Sequence, residues 1–182
     1  MKKFLLSAAA LFLLVTGSFA QKIGTKDAKV AFDATSSVEN IKAVNNSGQV
    51  VVNTSSGDVA ARVLIKNFIF KQSLMQEHFN ENYMESTKFP NSTLKGKISN
   101  LSDVKFGTDG TYKAKITGTL EMHGVTKNVE VPATITVKGD KTTFKSDFKI
   151  ACADYNIAIP SLVADKVAKE VKISIEGALS NQ

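Results

Sequence analysis

The sequence predicts an antiparallel all-β domain, and three observations carry that prediction. Apolar residues recur at every second position through most of the 182-residue chain, which gives each run one dry face and one wet face. Clusters of Gly, Asn, Asp and Ser separate the runs and supply turns. Only one segment, "KQSLMQEHFNENYMESTKFP", changes to spacings of three and four, so no βαβ rhythm develops.

The first twenty residues stand apart from that pattern. Lys2 and Lys3 form a positive start, "FLLSAAALFLLV" is an apolar stretch, and Ser18 and Ala20 have the small-residue spacing of a cleavage site. We expect a signal peptide over residues 1–20, cleaved before Gln21, and a single domain over residues 21–182. The apolar run is too short for a membrane span, and no later run reaches the necessary length. The expected location is therefore periplasmic or secreted, with no transmembrane segment after cleavage.

The elements follow in order. Val30, Phe32 and Ala34 alternate with Lys29 and Asp33. "GQVVVN" reads as a short strand bounded by the turn-rich "NNSG" and "TSSGD". Val59, Ala61, Val63 and Ile65 share one face, Phe68 and Phe70 lie two apart, and Leu94, Gly96 and Ile98 alternate with Lys95 and Lys97. Thr111 to Met122 reads as one long strand, led in by "FGTDGT". The next strand runs from Val129 to Val137, and "KGDKT" marks a hairpin after it. Phe144, Phe148 and Ile150 form another face, and Val171, Ile173 and Ile175 the last. Between two of these runs, His123 and Gly124 form a tight corner, with Gly124 free to take positive φ and His123 exposed at the tip.

About eight strands joined by short turns suit either two stacked sheets or a closed barrel, and alternation does not choose between them. In the helical segment, Leu74, Met75, His78, Phe79 and Tyr83 share a face, and Pro90 closes it. Such a helix either roofs the β structure or packs against its outside.

Composition excludes several classes of function. The formal charge of +6 becomes +4 without Lys2 and Lys3, the charges are dispersed, and Arg62 is the only arginine, so a nucleic-acid surface is not expected. A transient contact with a membrane surface and a homodimer are both compatible with this composition. Cys152 is the sole cysteine, so no intramolecular disulfide forms and a structural zinc site lacks ligands. No G-x-S-x-G elbow, phosphate loop or dinucleotide fingerprint occurs. His78 beside Glu77 and His123 near Glu121 are the only candidates for acid–base work, and no cofactor is indicated. What remains is a surplus of aromatic and flexible apolar residues around one helix, which suits a shared apolar cavity.

Three stretches carry a family resemblance. "GTLEMHGVTKNVEVP" resembles the G-x-L-x-x-x-G-V-T-K-x-V-x-x-P signature of YceI-like proteins through Gly118, Leu120, Gly124, Val125, Thr126, Lys127, Val129 and Pro132. "EHFNENYMESTKFPNSTLKGKI" resembles the family's helix-to-strand passage, and "IACADYNIAI" its I-x-R-x-D-[FY]-G-[IV] segment. The resemblance implies an eight-stranded antiparallel β-barrel, lipocalin-like, with one helical segment near residues 71–86. It also implies an apolar interior that holds a long-chain lipid, typically a polyisoprenoid. Two positions depart from the pattern: Cys152 stands where arginine is frequent, and Asn156 where glycine is common.

The expected function is that of a non-enzymatic carrier of an apolar lipid of isoprenoid, quinone or fatty-acid type. Phe68, Met75, Phe79, Tyr83, Phe89, Tyr112, Phe144 and Phe148 are the expected cavity wall. The rival is a solidly packed barrel that acts as an interaction module through its loops; an open cavity separates the two.

Overall fold

The computed structural model describes residues 22–182; the expected signal peptide lies outside them. Nine strands form, β1 (Lys22–Thr35), β2 (Lys42–Asn53), β3 (Asp58–Leu64), β4 (Ile69–Phe70), β5 (Asn91–Ile98), β6 (Gly110–Met122), β7 (Val125–Lys138), β8 (Lys141–Ala151) and β9 (Val167–Asn181). Eight of them close a ring in the order β1-β9-β8-β7-β6-β5-β3-β2, with β2 pairing back onto β1, and every pairing is antiparallel. β4 is a two-residue addition to the start of β2. Closure pairs every strand of the ring on both sides, except that β7 and β8 part beyond Thr134 and Lys145 toward the β6–β7 hairpin.

Alternation translates directly into the wall. On β7, Val131, Ala133, Ile135 and Val137 are buried while Glu130, Pro132 and Lys138 are exposed. The corner between β6 and β7 consists of His123 (φ 51°) and Gly124 (φ 74°), the two positive angles that a type I′ hairpin turn requires. Gly96 and Gly118 face each other across β5 and β6, and a Cβ on Gly118 would lie 2.1 Å from the Lys95 carbonyl oxygen. Only glycine allows the two strands to approach so closely there. Pro132, which has no N–H to donate, lies just past the last β7–β8 pair, Thr134 with Lys145. The Ser146 hydroxyl donates to the Pro132 carbonyl at 2.6 Å in place of the ladder.

Two expectations about local structure are corrected. "NNSG" is not a turn but part of β2, which runs on from Lys42. Asn45 is fully buried: its amide donates to the Leu64 carbonyl at 2.9 Å, and its Oδ1 accepts from the Ser47 backbone N–H at 2.8 Å. One polar side chain thus satisfies an irregularity that would otherwise end the strand. The helix α1 (Ser73–His78) continues into a single π-helical turn, Phe79–Tyr83, and stops there rather than at Pro90. Glu85, at φ 42°, turns the chain away, and its carbonyl accepts from both Lys88 and Phe89.

Register places the connections Ser36–Ile41, Ile65–Pro90, His123–Gly124 and Cys152–Lys166 at one end of the barrel, here called the mouth. The opposite end carries the β2–β3, β5–β6 and β7–β8 connections and is closed by packed side chains, among them Ile23, Ala28, Val52, Ile98, Val104 and Leu179.

Candidate functional site

Not all of the inward face is used for packing. A cavity of about 280 Å³ occupies the mouth half of the barrel, close to the lower end of the roughly 300–1,000 Å³ typical of ligand sites. Its walls come from Val30, Phe32 and Ala34 of β1, Leu94 of β5, Leu120 and Met122 of β6, Phe148 and Ile150 of β8 and Val171, Ile173 and Ile175 of β9. Farther down the same strands, Ala28, Ile98, Ala114, Phe144 and Leu179 belong to the packed core and do not line this cavity, and β7 contributes nothing to it.

The helical segment is a roof. Met75, His78, Phe79 and Tyr83 all line the cavity, which resolves the alternative that spacing left open. Phe79 anchors the roof in an aromatic cluster: it stacks on Phe32 with centroids 5.1 Å apart, and meets Phe70 at 5.0 Å and Phe68 at 5.7 Å. Such pairs contribute about 0.5–1.5 kcal/mol each beyond their burial.

Of the eight residues expected in the wall, Phe68, Met75, Phe79, Tyr83 and Phe148 lie on the cavity. The other three lie elsewhere. Phe89 packs edge-on against the His123 ring at 4.7 Å, beneath the Lys88 ammonium. Tyr112 donates its hydroxyl to the Thr108 carbonyl at 2.8 Å in the β5–β6 connection, at the closed end. Phe144 also sits at that end, where a Cβ on Gly177 would meet its ring at 3.1 Å. Alternation gives the face of a residue but not its height along the barrel, which is why Tyr112 and Phe144 were misplaced. Phe32, Phe70 and Met84 line the cavity without being among the eight; Phe70 and Met84 belong to the aromatic and flexible surplus around the helix, whereas Phe32 stands in the sequence only as one of an apolar alternation.

Few polar groups reach the lining. They are Glu39, His78 and Lys166 on the mouth connections, Ser92, whose hydroxyl donates to the Glu121 carbonyl, and the largely exposed Gln49 and Arg62, the latter donating to Asn91 Oδ1. Cys152 also lines the cavity, so the position where the resemblance favours arginine holds a small buried thiol, which burial pushes up from its ordinary pKa. Asn156, in the place of the common glycine, has φ 54°, a conformation that glycine takes freely and asparagine tolerates.

His123 is not the exposed corner that the sequence suggested. Its side chain is 10% exposed. Nδ1 donates to the Tyr155 carbonyl at 3.0 Å, since a carbonyl can only accept, and Nε2 lies 3.0 Å from a Glu85 carboxylate oxygen. The β6–β7 hairpin, the segment after the roof and the β8–β9 connection are thereby fastened at one ring. Among the described residues, no group of three or more His, Cys, Asp or Glu side chains is placed to hold a metal. No helix among them is long and apolar enough to cross a membrane.

Comparison with known proteins places this architecture. A family model described as the YceI-like domain matches residues 9–179. The structure of a polyisoprenoid binding domain from Saccharophagus degradans, implicated in plant cell wall breakdown, superimposes with a TM-score of 0.76 at 10% identity, over 90% of this chain and 100% of that one. BcnA from Burkholderia cenocepacia gives 0.68 at 19% identity, over 84% and 96%. The YceI protein of Campylobacter jejuni gives 0.57 at 18% identity, over 100% and 99%. At these identities the likeness is one of fold. No functionally curated protein matches the chain significantly.

Proposed function

The chain belongs to the YceI-like family, and from that premise we propose that it binds one apolar long-chain lipid, of isoprenoid, quinone or fatty-acid type, in the mouth half of its barrel. The observation that carries this reading is the cavity itself: an apolar hollow, roofed by its own helix, in a barrel whose other half is fully packed. A solidly packed interaction module has no use for such a space. The Saccharophagus degradans neighbour, described as a polyisoprenoid binding domain, supports an isoprenoid as the first ligand to try.

Binding would be driven by burial. Each methylene taken out of water contributes about 0.8 kcal/mol, so ten contribute about 8 kcal/mol, which offsets association costs in the lower part of the roughly 4–15 kcal/mol range. The role is to hold the lipid without turning it over, for transport, storage or stress protection, after export directed by residues 1–20.

Native mass spectrometry of the exported protein, followed by solvent extraction, tests this directly. A stoichiometric apolar adduct is the expected result and names the ligand. A clean unliganded mass that persists after incubation with prenyl lipids, quinones and fatty acids would overturn the reading. Within the wall, Phe79→Ala combined with Phe148→Ala should lower lipid retention while the β-type circular dichroism persists. Unchanged retention in the folded double variant would remove both rings from the binding surface.

A further inference from the structure

Five large apolar side chains are exposed among the described residues, and four of them lie at the mouth. Val38 (57% exposed) is in the β1–β2 connection, Ile69 (63%) on β4, Leu74 (58%) on α1 and Leu162 (91%) in the β8–β9 connection. Each is the immediate chain neighbour of a residue that lines the cavity: Glu39, Phe68 and Phe70, Met75, and Val163. Apolar side chains next to the lining thus reach solvent on three of the mouth's connections, Ile69 and Leu74 sharing the one between β3 and β5. The fifth, Val51, lies within β2, where it pairs with Ala60 of β3.

We propose that this rim docks on the surface of a lipid bilayer, where the cavity loads and unloads. The inference rests on the reading of the cavity as a lipid site and adds the partner from which the lipid comes. Three features favour a bilayer over a protein. The apolar groups are single side chains spread over three connections at the mouth, a form suited to shallow insertion between headgroups rather than to one continuous docking patch. The opening they surround leads to an apolar space, and an apolar cargo that crosses directly from bilayer to cavity avoids water. The charge at the mouth is also nearly balanced, with four lysines against six carboxylates on its connections. That balance gives no attraction to a strongly charged protein or to an anionic membrane, so the contact is made with a zwitterionic surface and is insensitive to salt.

The test is transfer of an anthroyloxy-labelled fatty acid from the loaded protein to phosphatidylcholine vesicles that carry a lipid-bound quencher. If the rim docks, the transfer rate rises with vesicle concentration and stays within about twofold when salt is raised. Val38→Ser, Leu74→Ser and Leu162→Ser combined should slow transfer by about tenfold or more, while equilibrium binding of the labelled fatty acid is unchanged. A rate independent of vesicle concentration means release into water and overturns the proposal. A steep loss with salt moves the contact to the lysine-bearing barrel wall and overturns it too. Should the wild-type protein take up no fatty acid, that counts against the cavity as a site for this lipid class. Flotation of the unloaded protein with the same vesicles then decides the rim: flotation that the triple variant loses supports it, and no flotation overturns it.

Discussion

Cys152 shows how one side chain sets the chemistry of the site. It lies on the cavity wall at a position where the family resemblance favours arginine, and an arginine there would bring a permanent charge into the apolar space. The thiol brings none, and burial raises its pKa further from neutrality. The consequence for stability has a definite sign. The folded protein holds the Cys152 proton more tightly than the unfolded chain does, so above about pH 8.5 the unfolded chain releases it first and stability falls. Burial, and then the Asp154 charge, also raise the Tyr155 phenol, which adds a second loss at higher pH. Urea midpoints measured between about pH 8 and pH 10 should therefore decline in the wild type and flatten in Cys152→Ala. An equal slope in both would show that the thiol is not buried in the folded state.

Among the elements, the β7–β8 seam is closed at the mouth by the His123 ring rather than by continuous sheet. The β7–β8 ladder ends at Thr134 and Lys145, short of the mouth, and the first turn of the β8–β9 connection is tied to the hairpin instead, through the Tyr155 carbonyl and a Lys127–Asp154 pair at 3.5 Å. Replacing His123 with alanine leaves the Tyr155 carbonyl without this donor and opens a space beside Phe89. A loss of about 2–3 kcal/mol is expected in chemical denaturation, and faster amide exchange in residues 152–166 should accompany it. A loss below about 0.5 kcal/mol, the size of an ordinary surface substitution, would mean that the ring does not fasten the mouth. This clasp was only half legible in the sequence. His-Gly between two alternating runs identified the turn, because the turn is local chemistry. The partners of His123, Glu85 and Tyr155, lie 38 and 32 residues away, and no local pattern encodes such a meeting. The same limit explains "NNSG": composition indicated a turn, and the long-range bond from Asn45 to Leu64 made a strand of it. The roof was legible because its spacing is helical and its aromatic face is dense. Its span was legible to within a few residues, near 71–86 against the observed Ser73–Tyr83; only the left-handed Glu85 that turns the chain away leaves no compositional sign.

For the molecule as a whole, the division into a packed half and a hollow half carries an energetic argument. At about 24 cal/mol per Å³ of empty apolar cavity, a volume of about 280 Å³ would cost on the order of 7 kcal/mol if nothing filled it, comparable with the 5–15 kcal/mol net stability of a typical domain. The packed end supplies the stability that tolerates such a defect, and an occupant of the hollow would recover part of the cost. Lipid binding should therefore register as thermal stabilisation. A ligand present at about a hundred times its Kd adds about 2.7 kcal/mol, and for a domain of this size each kcal/mol raises Tm by about 2–4 °C, so a rise of about 5–11 °C is expected. Ile150→Trp projects a larger ring from β8 into the same space. It should leave the unliganded Tm close to that of the wild type, because the ring fills a void instead of displacing neighbours, and it should abolish the lipid-dependent rise. A rise that survives in Ile150→Trp would place the lipid outside the barrel, on the apolar rim or the wall, and would separate membrane-surface binding from carriage within the cavity.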